Sequence, residues 1–104
     1  MTFPPEFPGG NQALNAWLIG NTHYPKKAFK KKIQGTSYVS FVVERDGRIV
    51  QVTLRRGSDP LLDKEALRVV EKMPAWNPGR LQDSSLVRVR YTLPIQFKLA
   101  KPAP

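Results

Sequence analysis

Two runs of alternating apolar and polar residues flank Asp46-Gly47, and the alternation predicts a β-hairpin with one apolar face. Asp-Gly favours a two-residue turn in which both central residues take positive φ. Counting outward from that turn sets Val43 opposite Val50, Phe41 opposite Val52 and Val39 opposite Leu54. The other face then pairs Glu44 with Ile49, Val42 with Gln51, Ser40 with Thr53 and Tyr38 with Arg55, a surface that water can wet. Such a half-buried sheet needs a lid.

The pattern after the hairpin supplies one. Ser58 or Asp59 followed by Pro60 marks a helix start, and Leu62, Ala66, Val69, Val70 and Met73 recur on one helical face. Pro74 stops that helix, Ala75 to Gly79 crosses back, and 80–85 is a polar loop. From Leu86 to Phe97 the alternation returns: Val87, Val89, Tyr91, Leu93, Ile95 and Phe97 on one side, Arg88, Arg90, Thr92, Pro94 and Gln96 on the other. Pro94 has no N–H to give to a ladder, so this strand belongs at an edge. A helix between the second and third strands returns the chain by about one strand length, which lets the third strand run antiparallel to the first. The expected fold is α+β: a three-stranded antiparallel sheet of order 2-1-3, a split β-α-β, with two to three helices packed on one face.

Upstream, Ala13, Leu14, Trp17 and Leu18 recur at helical spacing between an expected N-cap at Asn11 and a stop at Gly20-Asn21. Tyr24-Pro25 is a turn on any reading, and Pro25 is expected to open a second short helix running to about Ile33. Residues 1–9 are proline-rich and read as a lead-in or linker end with little to bury, 10–99 as the folded domain, and 100–104 as a flexible tail.

Composition narrows the chemistry. With no cysteine and one histidine the chain cannot build a disulfide framework or a Cys/His metal site. No nucleophile sits with a base and no two carboxylates face across a cleft, so neither catalytic residues nor a cofactor is expected and the chain does not read as an enzyme. No apolar stretch approaches the ~20 residues of a membrane span, and the N-terminus lacks the pattern of a signal peptide. Seventeen basic against eight acidic residues give a net charge of +9. The basic residues are scattered and not interleaved with aromatics, so nucleic acid is not the expected partner. The tightest cluster, Lys26, Lys27, Lys30, Lys31 and Lys32, reads first as a solvated helix face and alternatively as a polyanion site. Trp76 reads as a core plug ahead of a ligand platform, His23 as an exposed loop residue ahead of a contact, and Asp59 and Asp63 as favourable charge in a first helical turn.

The ordered set Tyr24-Pro25, Ala28, Gly35, Asp46-Gly47, Arg56-Gly57, LDKEALRVV at 62–70, Trp76-Asn77-Pro78-Gly79 and YTLPIQF at 91–97 resembles the C-terminal domain of TonB-type energy transducers over about residues 10–99. The lead-in Phe7-Pro-Gly-Gly10 and the helix at Ala13 to Ile19 are similar to the form common in Bacteroidetes-type bacteria. The resemblance implies a periplasmic domain tethered to an inner-membrane anchor outside this chain. It implies that the domain grips the TonB box peptide of an outer-membrane TonB-dependent transporter while proton-driven inner-membrane motor proteins, engaged through an absent N-terminal part, supply energy for nutrient or siderophore uptake. By matching position, the receptor peptide adds as a strand along Arg88, Val89, Arg90, Tyr91, Thr92 and Leu93, with a second contact region at Asn21, Thr22, His23, Tyr24 and Pro25. An edge strand is a template for strand addition on physical grounds too, and it also admits a second copy of the chain as a homodimer. Arg88 and Arg90 read equally as guards against aggregation and as guides for an acidic peptide. Alternatively the domain is the partner-recognition terminus of a larger membrane sensor or peptidase.

Overall fold

The computed structural model describes residues 2–99; the flexible tail expected at 100–104 lies outside them. The main sheet has three antiparallel strands in the order β3-β2-β6, formed by Gly35–Val43 (β2), Ile49–Arg56 (β3) and Val89–Phe97 (β6). This is the expected 2-1-3 order. Three helices accompany it: Gly10–Asn21 (α1), Lys26–Lys30 (α2) and Pro60–Glu71 (α3). Val39, Phe41 and Val43 from the central strand, all without exposed surface, meet Leu62, Ala66, Val69 and Val70 of α3 in the core. Asp59 is the N-cap, its carboxylate accepting from the Leu61 N–H at 2.9 Å. Asp63, one turn in, accepts from the Ser58 N–H at 3.0 Å and the buried Ser37 hydroxyl at 2.7 Å, tying the helix start to the central strand.

The hairpin tip differs from the two-residue turn. Glu44 donates its N–H to the Arg48 carbonyl and accepts from the Gly47 N–H, so the loop is Arg45-Asp46-Gly47 and only Gly47 has positive φ, at 89°. The added loop residue shifts the pairing to Val43 with Ile49 and Val42 with Val50. Gln51 at φ 51° then absorbs one extra residue in β3, which restores the expected partners Ser40 with Thr53 and Val39 with Leu54. Ile49, in place of Val50, packs with Val52 against the core.

The closing strand is broken where one continuous strand was expected. Leu86–Val87 (β5) leaves β2 at Arg88 and joins a second small sheet, β1-β4-β5, with Thr2–Phe3 (β1) and Gly79–Leu81 (β4). The lead-in therefore packs: Thr2 and Phe3 pair with Leu81 and Arg80, Glu6 bridges Asn77, and Phe7 is buried. Phe7 meets Trp76 edge-on at 5.9 Å, and Trp76 also contacts Phe41 at 5.3 Å and Tyr91 at 5.2 Å. Trp76 is thus a core residue, its indole N–H donating to Met73 Sδ at 3.3 Å and its backbone N–H to the Gly47 carbonyl at 2.8 Å.

The upstream helices shift slightly from their expected bounds. α1 starts at Gly10, after Gly9 in the left-handed region at φ 90°, and runs through Gly20, so Asn11 is not the cap. Pro25 precedes α2 instead of opening it. The α2 end is closed by Ile33 N–H to the Ala28 carbonyl and Lys32 N–H to the Phe29 carbonyl, with Lys32 at φ 56° in the place glycine usually takes.

A side chain at position 47 would pay both for left-handed φ and for collision with the Trp76 carbonyl oxygen. Gly47→Ala is expected to cost at least about 2 kcal/mol in urea unfolding, whereas Asp46→Ala, at an exposed loop position, is expected to leave the unfolding midpoint nearly unchanged.

Candidate functional site

β6 has one neighbour in the main sheet, β2, and forms a border of it. Its nine pairs with β2, from Gly35 opposite Phe97 to Val43 opposite Val89, run without a register shift. Proline is tolerated in a strand where no ladder donor is lost, so Pro94, opposite Tyr38, turns its nitrogen away from β2. Backbone groups two residues apart point the same way, and the N–H groups of Arg90 and Thr92 accordingly share that open side. The other border, β3, has two register shifts, one of them the bulge at Gln51, which bends it.

The side chains on β6 divide as the alternation requires. Leu93, Ile95 and Phe97 are buried, Val89 and Tyr91 half-buried, and Arg90, Thr92, Pro94 and Gln96 exposed. Arg88 donates to Glu44 Oε1 at 2.5 Å. Arg90 lies across the far face, donating to Ser40 Oγ at 3.2 Å and Gln51 Oε1 at 3.3 Å, and so bridges all three strands. Beneath it Ser40 and Val42 are buried at 2% and 5% exposure, although this face was expected to be wettable. Both arginines are engaged by neighbours in their own chain.

The second region, 21–25, is fixed by hydrogen bonds from three directions. Asn21 donates from Nδ2 to the Trp17 carbonyl at 2.8 Å, and its own carbonyl accepts from Arg68 at 2.9 Å. The Thr22 N–H closes α1 onto the Leu18 carbonyl. The His23 N–H donates to Glu65 Oε2 at 2.7 Å, and the same carboxylate pairs with Arg68 at 2.7 Å. Tyr24 donates its hydroxyl to the Ile33 carbonyl and packs edge-on against Phe29 at 5.9 Å and Phe97 at 5.7 Å. Burial pushes the Tyr24 phenol up from its ordinary range. For Glu65, burial acts upward, but the Arg68 guanidinium and the His23 N–H outweigh it and hold the carboxyl below 4.5.

The second region lies against a part of the closing strand other than 88–93. An open cleft of about 870 Å³ brings Thr22 and Tyr24 against Pro94, Ile95, Gln96, Phe97 and Lys98, the half of the strand beyond 88–93. Thr36 and Tyr38 of β2 and Asn15, Leu18 and Ile19 of α1 complete its walls. Four successive strand residues, Pro94 to Phe97, in one wall mean that the cleft wraps the border of β6, since neighbouring side chains point to opposite faces. Ile19 stands at the lip 82% exposed, and the Thr22 hydroxyl is buried with no hydrogen-bond partner. The helical spacing marked Leu18 as a core residue and gave no sign that Asn15 and Ile19 would line a cleft.

Residues 20–99 match the family described as Gram-negative bacterial TonB protein C-terminal. The chain belongs to that family. Its fold is that of two solution structures of the Helicobacter pylori TonB C-terminal domain, each 20% identical. One has a TM-score of 0.66 with 88% of this chain and 95% of that one covered; the other has 0.63 with 85% and 78%. A solution structure of the Pseudomonas aeruginosa TonB C-terminal domain is 25% identical, with a TM-score of 0.61 over 79% of this chain and 82% of that one. No curated protein sequence matches the chain. Domains of this family are non-enzymatic transducing and binding domains of a periplasmic type, which interact in general with outer-membrane receptors. No helix among the described residues is long and apolar enough to cross a membrane.

Glu65 gives the region its pH dependence. Its folded-state pKa is depressed, so its contribution is present above the unfolded value and is lost as pH falls through the folded one. Amide exchange at His23 is expected to speed up, relative to the core amides of β2, as acidification passes below the ordinary glutamate range, and Glu65→Gln to show the faster exchange already at neutral pH.

Proposed function

We propose that this domain binds the TonB box peptide of an outer-membrane transporter as an added strand along the open side of β6, and passes on proton-motive energy for import. The observation that carries the reading is the border itself: nine residues in unbroken register, paired with β2 alone among the described residues. Main-chain hydrogen bonds give such a site affinity with little demand on peptide sequence, and alternate side-chain contacts give selectivity. Val89 to Leu93 offer the ladder, which is interrupted at Pro94. Beyond it the cleft with Thr22 and Tyr24 receives the peptide's side chains. Residues 21–25 act as that second contact, held in place by Glu65 and Arg68.

This assignment also fits a mechanical task. If the guest strand is pulled along its own axis, the ladder hydrogen bonds share the load in shear, so a weak equilibrium complex can transmit force. Arg88 and Arg90 contribute by closing the far face, since their hydrogen bonds lead inward.

Titrating a receptor-plug peptide into the labelled domain is expected to shift the amides of 89–93 together with those of 22–24, and unmoved amides at millimolar peptide would overturn the proposal. Thr92→Pro removes a donor on the open side while Thr92→Ala leaves it. The first is expected to weaken peptide binding at least about fivefold and the second under about twofold, with both variants retaining the wild-type circular dichroism spectrum.

A further inference from the structure

The five-residue helix α2 and the turn that closes it carry Lys26, Lys27, Lys30, Lys31 and Lys32, all exposed, and none joins an ion pair among the described residues. Ala28, with no exposed surface, fixes which side of α2 faces inward. At about 100° per residue, Lys26 and Lys30 then point straight out, Lys27 lies on one flank and Phe29 on the other. The Phe29 ring touches Tyr24 by an edge yet remains 59% exposed. None of the acids of the neighbouring α3, Asp63, Glu65 and Glu71, forms an ion pair with this patch among the described residues. Asp63 is occupied by Ser37 and Ser58, and Glu65 by Arg68 and His23.

We infer that this patch docks the domain on an anionic phospholipid bilayer, with the Lys26 and Lys30 face on the headgroups and the Phe29 ring at the acyl boundary. Two features select a bilayer over a nucleic acid. An exposed apolar ring beside a lysine face gains by entering an interface, while the long lysine stems keep their charges at headgroup level. A single phenylalanine offers no row of stacking platforms for successive bases. Because Phe29 touches Tyr24 and Tyr24 lines the cleft, docking brings the cleft to the membrane surface. The inference does not depend on the occupant of β6.

Co-sedimentation of the full chain with vesicles of phosphatidylcholine containing about 30% phosphatidylglycerol tests it. Binding is expected to the mixed vesicles and not to pure phosphatidylcholine, and to weaken between about 0.05 and 0.3 M salt. Lys26→Gln with Lys30→Gln is expected to lower the affinity at least about tenfold; Arg55→Gln with Arg56→Gln, an equal charge change on β3, by less than about twofold. Phe29→Ala is expected to lower it several-fold and to leave binding of a 20-nucleotide single-stranded DNA unchanged. Equal losses from the two double variants, no effect of Phe29→Ala on vesicle binding, or tighter binding to the DNA than to the vesicles would overturn the inference. Circular dichroism spectra matching the wild type exclude unfolding as the cause.

Discussion

Three segments distant in sequence converge on one indole. Trp76 packs against Phe7 of the lead-in, Phe41 of the central strand and Tyr91 of the closing strand, and its peptide N–H holds the hairpin tip at Gly47. A sheet of three strands with helices over one face has a thin core, and a large aromatic at its end compensates by joining the lead-in to the sheet. The absence of a Cβ at Gly47 permits the approach. The tip and the α3–β4 connection are clamped together, and β5 and β6 part at Arg88, one to the small sheet and the other to the main one.

That clamp leaves the two borders of the main sheet unequal. β3 reaches its partners by way of a glutamine in a left-handed conformation, whereas β6 stays straight and in register for nine residues. Strand addition needs evenly spaced main-chain groups, and these exist on the β6 side. The arginine laid over the far face gives the thin sheet partial cover without a fourth layer, and it leaves the border open.

Much of this was legible in the residues. The order of the main sheet, the capped lid helix after Asp59, the core role of Trp76 and the border position of a strand containing Pro94 all follow from alternation, capping chemistry and the missing proline N–H. The bulge at Gln51 was not legible, because nothing local marks a glutamine for positive φ; the need to bring Val39 and Leu54 back into line demands it. The small sheet was missed for a different reason: strands of two and three residues are too short to show a period. Phe7 was hidden among prolines that suggested a linker. At the candidate site, the positions 21–25 and 88–93 were named from resemblance. Their geometric relation to 94–98 and to α1 depends on tertiary packing that spacing does not encode.

The unequal borders also bear on self-association. A protein with two straight, unprotected flanks can stack copy upon copy into an unlimited ribbon. Here the crooked Gln51 flank cannot serve as the complement of the straight one, so β6-to-β6 contact between two copies would end in a closed pair and go no further. The open β6 border can therefore stay unpaired without becoming a seed for fibres.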